Sequence, residues 1–138
     1  MIDRDQAGRT PLHYAAADGD TAQARALLAM GASPDKSDSA GWTPLHFAAQ
    51  SHAVEIATML LEAGASVDPR DNDGNTPLFR AVFASRGRGE MIALLRNRGA
   101  DPMSVNQAGQ SPVGVARLIG NYDVAQHLGI SAQLPNDR

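Results

Sequence analysis

The chain has 138 residues, 43% of them hydrophobic and 20% charged, enough for one compact domain or one short repeat array with a real core. It has no cysteine, which excludes disulfides, thiolate nucleophiles and zinc–thiolate sites, and no apolar run approaches the roughly 18 to 20 residues of a membrane span. The net charge of −3 is too mild to nominate nucleic acid or a membrane as partner, but it is uneven: 11 acidic against 5 basic residues in 1–79, then 4 against 7 in 80–138. Met1–Asp5 contains no apolar signal-peptide core, so a cytoplasmic protein is expected.

In chain order, Asp5 stands three residues before Gly8, and Thr10-Pro11-Leu12-His13 follows. Threonine is a good N-cap and proline a good first helical residue, so a helix opens here, with Leu12, Ala15 and Ala16 as its apolar face and Gly19 at its end. A second helix carries Ala24, Leu27 and Leu28 and leaves through Gly31-Ala32, where glycine suits a left-handed exit. The unit returns after 33 residues: Asp38, Gly41, Thr43-Pro44-Leu45-His46, the faces Leu45, Ala48, Ala49 and Ile56, Leu60, Leu61, then Gly64-Ala65. Here His52 replaces the helix-ending glycine, which implies backbone strain or an extra contact. A third unit, after another 33, has Asp71, Gly74, Thr76-Pro77-Leu78-Phe79, the faces Leu78, Ala81, Val82 and Ile92, Leu94, Leu95, and Gly99-Ala100. Arg96 stands where Leu28 and Leu61 stood, so a less buried or rearranged spot is expected there. The fourth unit starts 35 residues on, at Ser111-Pro112-Val113-Gly114 behind Asn106 and Gly109, with Val124 and Leu128 as its second apolar face. The two extra residues fall between Thr76 and Gly99, most naturally in Ala84–Gly89. Unit four lacks the Gly-Ala exit and ends in the polar run 133–138, as an end cap would.

These landmarks, in phase from about Asp5 to Leu128, resemble the ankyrin repeat. The resemblance implies one domain over 1–138: an all-α solenoid of four helix-turn-helix repeats with short β-hairpin-like turns. Its repeats are about 5–37, 38–70, 71–105 with the insertion, and a C-terminal cap 106–130, followed by the tail 131–138. It implies structural roles for Thr10, Thr43, Thr76, His13 and His46, each histidine bonding the threonine hydroxyl and nearby backbone. It also implies a monomeric, non-catalytic protein that binds another protein through a concave face of turn tips and first-helix surfaces. Aligned on that pattern, the candidate partner-binding residues are Arg9, Tyr14, Asp18, Trp42, Phe47, Gln50, Ser51, Asn75, Arg80, Phe83, Arg86 and Gln110, with Leu118 and Ile119 in the last repeat.

Trp42 is the only tryptophan, in a tip position held elsewhere by Arg9, Asn75 and Gln110. Either it contacts a partner, as interface tryptophans do, or its indole folds down over a neighbouring hairpin. The arginines 80, 86, 88, 96 and 98 form the second candidate. They read as a patch for an acidic protein surface, as a nucleic-acid or phosphate site, or as a solvated loop and outer helix face. No catalytic, metal-binding or cofactor-binding pattern is present: no HExxH or EF-hand spacing occurs, and Gly87-Arg88-Gly89 lacks the surroundings of a phosphate loop. The run Ala116–Gln126 resembles the last repeat of small bacterial ankyrin proteins, some of them immunity-like inhibitors of secreted toxins. Eleven arginines to one lysine suit a bacterial gene. An adaptor or an immunity protein is therefore expected, with a basic nucleic-acid or phosphate binder as the alternative.

Overall fold

A computed structural model describes residues 6–86, 88–119 and 128, and among these it has seven helices and no strand. They are α1 (Pro11–Asp18), α2 (Thr21–Ala29), α3 (Pro44–Ser51), α4 (Val54–Glu62), α5 (Pro77–Phe83), α6 (Glu90–Asn97) and α7 (Pro112–Ile119).

The first helix of each pair starts by the same local chemistry. Thr10, Thr43 and Thr76 hold extended backbone, with φ of −96°, −94° and −98°, and proline occupies N1, where its missing N–H costs nothing. Thr76 Oγ1 accepts the Phe79 amide at 3.2 Å, and Ser111 Oγ accepts the Gly114 amide at 3.0 Å. In repeats 1 and 2 the histidine closes the cap from the other side. His46 Nδ1 accepts the Thr43 amide at 3.0 Å with the Thr43 hydroxyl at the same distance, and His13 does likewise with Thr10 at 2.9 Å. Each histidine's Nε2 reaches the next turn, at 2.9 Å from the Trp42 carbonyl for His13 and 2.8 Å from that of Asn75 for His46. Each imidazole thereby links its cap to the following repeat. Phe79, in the same place in repeat 3, is buried as a plain apolar plug.

The second helices end alike. The amides of Ala32, Ala65 and Ala100 donate to the carbonyls of Leu27, Leu60 and Leu95, each at 3.0 Å, across glycines at φ of 92°, 101° and 97°. This is the Schellman exit, and its left-handed residue carries no steric cost only in glycine. His52 takes the same left-handed region at φ 61° at the end of α3, and its Nε2 lies 3.2 Å from Glu90 Oε1. Strain and an extra contact coincide there.

Helices α1, α3, α5 and α7 stack as one layer, and α2, α4 and α6 as a second. Ala15, Ala16, Ala48, Ala49 and Ala81 are all buried in the first layer, where a methyl side chain allows close backbone approach, and Leu12, Leu45, Leu78 and Val113 recur beside them. Ala24, Ile56, Leu60, Ile92 and Leu95 are buried in the second, together with Met91. Leu27, Leu28 and Leu94 are only partly covered. At the Leu28–Leu61 position Arg96 is half-buried and turns its guanidinium to the Ala100 carbonyl at 3.2 Å. Repeat 3 absorbs its insertion in the connection 84–89, where repeats 1 and 2 use two residues between their helices, and Arg86 there adopts φ 51°. The second helix expected in repeat 4 and the tail 131–138 lie outside the described residues, apart from Leu128, which is buried.

Candidate protein-binding face

The turns between repeats are built on one side chain each. Asp38 Oδ1 accepts the amides of Ala40 and Trp42 at 2.9 and 2.8 Å. Asp71 Oδ1 accepts those of Asp73 and Asn75, and Asn106 Oδ1 those of Ala108 and Gln110, all at 2.9 Å. Backbone bonds from Asp38 to Trp42, Asp71 to Asn75 and Asn106 to Gln110 close each turn at 2.8 to 2.9 Å, giving the hairpin-like shape without a strand. Neighbouring turns are stitched together by Ser39 N–H to Ala7, Asn72 N–H to Ala40 and Gln107 N–H to Asp73. Gly41 lies where two turns touch: a Cβ there would come within 2.8 Å of Asn72 N and 2.9 Å of Asp71 Cα, at φ 82°. The aspartates were visible in the sequence only as markers three residues before a glycine. Their role as turn frames emerges from the fold.

The position just before each cap threonine, occupied by Arg9, Trp42, Asn75 and Gln110, behaves differently from an exposed tip. Arg9 Nε donates to Asp38 Oδ2 of the next repeat at 3.2 Å, and its guanidinium lies 5.1 Å from the Phe47 ring centre and 6.0 Å from that of Tyr14. Bonding to Asp38 first, then to Tyr14, favours the charged guanidinium and raises its pKa. Asn75 Oδ1 accepts Asn106 Nδ2 at 2.8 Å, again a link to the next repeat's turn residue. Asn75 is therefore buried, and the expected exposed tip residue is a structural one. Gln110 is exposed and takes part in its turn through its backbone.

Trp42 breaks this series. Its indole is half-buried, packed on Phe47 at 4.8 Å and His46 at 5.5 Å between ring centres, and makes no polar link to Asp71. The cation comes instead from the opposite side of the same interface: Arg80 lies 4.8 Å over the indole, its terminal nitrogen 3.8 Å from Asp71 Oδ2. Repeats 1 and 2 thus meet through Asp38, Arg9 and Phe47, while repeats 2 and 3 meet through Asp71, Arg80 and Trp42. The cation and the ring have changed places. The exchange is imperfect, since Asp71 Oδ2 and Arg80 Nε are both buried without a hydrogen bond. Each such group costs on the order of 1–3 kcal/mol. The ring packs down on its own repeat, not over the neighbouring hairpin, and is left partly open.

Around this stack the first-helix side chains point outward. Tyr14, Phe83 and Leu118 are exposed large hydrophobics, Phe83 at 61% and Leu118 at 74%, and Phe47 is half-buried. Asp18 and Gln50 are exposed, and so is Arg86 in the long connection. Ser51 is exposed as a residue, but its hydroxyl donates to the Ala16 carbonyl at 2.8 Å and so helps join α3 to α1. The side chain of Ile119 lies outside the described residues. The arginine cluster does not act as one unit: Arg80 faces Asp71, Arg88 Nε donates to Ser85 O, Arg96 to Ala100 O, and Arg98 lies 4.0 Å from Glu62. Among the described residues no three histidine, aspartate or glutamate side chains gather as a metal site, and no helix is long and apolar enough to cross a membrane.

Paired helices stacked in two layers, joined by side-chain-framed turns and presenting one continuous row of first-helix side chains, define a helical-repeat solenoid. The chain belongs to the ankyrin-repeat family: the family model described as ankyrin repeats (3 copies) matches residues 1–71 and 25–106. A search of curated proteins returns no match to the chain. Ankyrin repeats are, as a family, protein–protein interaction modules and typically non-catalytic.

Proposed function

We propose that this chain is a non-catalytic binding module that holds another protein against its first-helix face, with Tyr14, Trp42, Phe47, Arg80 and Phe83 at the centre. Arg9, Asp18, Gln50, Ser51, Arg86, Gln110 and Leu118 form the rim, and Asn75 drops out because it is buried. The observation that carries this reading is the row of rings and guanidinium groups running across repeats 1 to 3, since aromatic and arginine side chains dominate interface energetics. The module acts as a cytoplasmic monomer, either as an adaptor or regulator or as the immunity inhibitor of a cognate toxin, and the partner's identity separates the two. The nucleic-acid or phosphate reading is weaker, because Arg88, Arg96 and Arg98 are each turned to a different protein group rather than gathered into one patch.

Affinity purification from the native organism tests this, with Trp42→Ala and Arg80→Glu/Arg86→Glu variants beside the wild type. One protein recovered in stoichiometric amount by the wild type and lost by the variants is the expected result. Undiminished recovery by both variants would place binding on another face, and recovery of nucleic acid alone would sink the protein-binding reading.

A further inference from the structure

Resting on the proposed binding face, we infer that the unit of Trp42, Arg80 and Asp71 is a receptor for a carboxylate, so that the partner docks an aspartate or glutamate flanked by apolar side chains.

The inference starts from the exchange of ring and cation between the two interfaces. Arg9 is anchored directly to its carboxylate, Nε donating to Asp38 at 3.2 Å. Arg80 is not. Its nearest approach to Asp71 is 3.8 Å, its Nε is buried without a hydrogen bond, and its side chain makes no other hydrogen bond among the described residues. The guanidinium is held over the indole, 4.8 Å from the ring centre, rather than by a hydrogen-bonded acceptor. The buried Nε is out of reach of a partner, but the terminal nitrogens of a cation held over a ring and not hydrogen-bonded to a protein acceptor are free to take the two oxygens of an incoming carboxylate.

Charge display gives the sign of the partner. The Asp71 carboxylate is 1% exposed and the Arg80 side chain 19%; for Asp38 and Arg9 the figures are 1% and 37%. The anions lie beneath and the cations above, so each of the two pairs presents its cation outward although it is formally neutral. Arg86, in the connection that follows α5, adds a further exposed cation. Phe83, 61% exposed and on the same helix as Arg80, offers an apolar flank. An acidic side chain in an apolar setting complements all three features, whereas a basic segment would meet guanidinium groups head on.

The test uses a displayed library of random linear peptides selected on the full chain, with binding then measured for synthetic copies of the selected peptides. Enrichment of Asp and Glu is expected, with affinity falling about tenfold or more for Arg80→Gln and when the peptide carboxylates are replaced by amides. A second variant separates binding from folding: Trp42→Arg with Phe at position 80 (W42R/R80F) copies the arrangement of Arg9 and Phe47 and gives Asp71 a short partner. It is expected to melt at least as high as the wild type and yet to lose the acidic peptides. Peptides that need Trp42 but bind equally well as amides would overturn the carboxylate and leave the proposed face standing. Binding indifferent to Trp42 and Arg80, or selection of basic peptides alone, would overturn the inference, and indifference to both residues would take the face with it.

Discussion

His46 stays neutral in the folded chain because both ring nitrogens are committed. Nδ1 accepts an amide hydrogen, so the proton must sit on Nε2, which donates to the Asn75 carbonyl. Burial is the main cause of its lowered pKa, and the Asn75 carbonyl opposes it more weakly. The unfolded chain therefore takes up a proton near the ordinary histidine value of about 6.5, while the folded chain does not. Stability is expected to be level above that pH and to fall below it, by at most about 1.4 kcal/mol per pH unit for this site. Urea midpoints measured between neutral and acid pH check this, and His46→Phe, which copies Phe79 of repeat 3, should flatten the slope. Gly41 makes a second case at this scale. Gly41→Ala should cost about 2 kcal/mol or more, because the new methyl meets backbone at 2.8 to 2.9 Å. Gly64→Ala, with nothing within 4 Å, should cost only the left-handed backbone penalty of about 1 kcal/mol. Thermal melts of the two variants side by side settle the order.

The helix ends show how far sequence reaches. Threonine caps, N1 prolines and exit glycines were legible because each acts on its own backbone within a few residues, and repetition at a fixed spacing removed the ambiguity of a lone motif. The length of the 84–89 connection was legible for the same reason, as a defect in the spacing. The interface units were not. Arg9 meets Asp38 from the preceding repeat, and which side of an interface carries the cation depends on packing that no local rule encodes. Asn75 was misplaced on that account, since its neighbours in the alignment look like tips and its partner, Asn106, lies a repeat away. The end of α3 offers a test at this scale. His52→Gly removes the left-handed strain at φ 61° and also the contact with the exposed Glu90. A contact to a solvated carboxylate is worth little, so the variant should be more stable by about 0.5 kcal/mol. A denaturation midpoint lower than the wild type's would show that the Glu90 contact outweighs the strain.

Across the whole molecule, stability is a sum of repeats and the contacts between them. Leu78 is fully buried in the first-helix layer, touching the interior from the middle of the array. Leu78→Ala should cost about 3 kcal/mol and lower the unfolding midpoint as a single transition in circular dichroism. Two separate transitions would mean that the repeats on either side come apart independently. The exchanged interfaces have one more consequence, which concerns how such an array can be copied. Duplicating repeat 2 in tandem would set Trp42 against a second Phe47 and leave the second Asp38 with no cation. Joining repeat 1 directly to repeat 3 would bring Arg9 and Arg80 to the same Asp71. Neither splice reproduces a complete set of carboxylate, guanidinium and ring, so the order of the modules is written into their faces, and this array is a poor substrate for growth or shrinkage by unequal recombination.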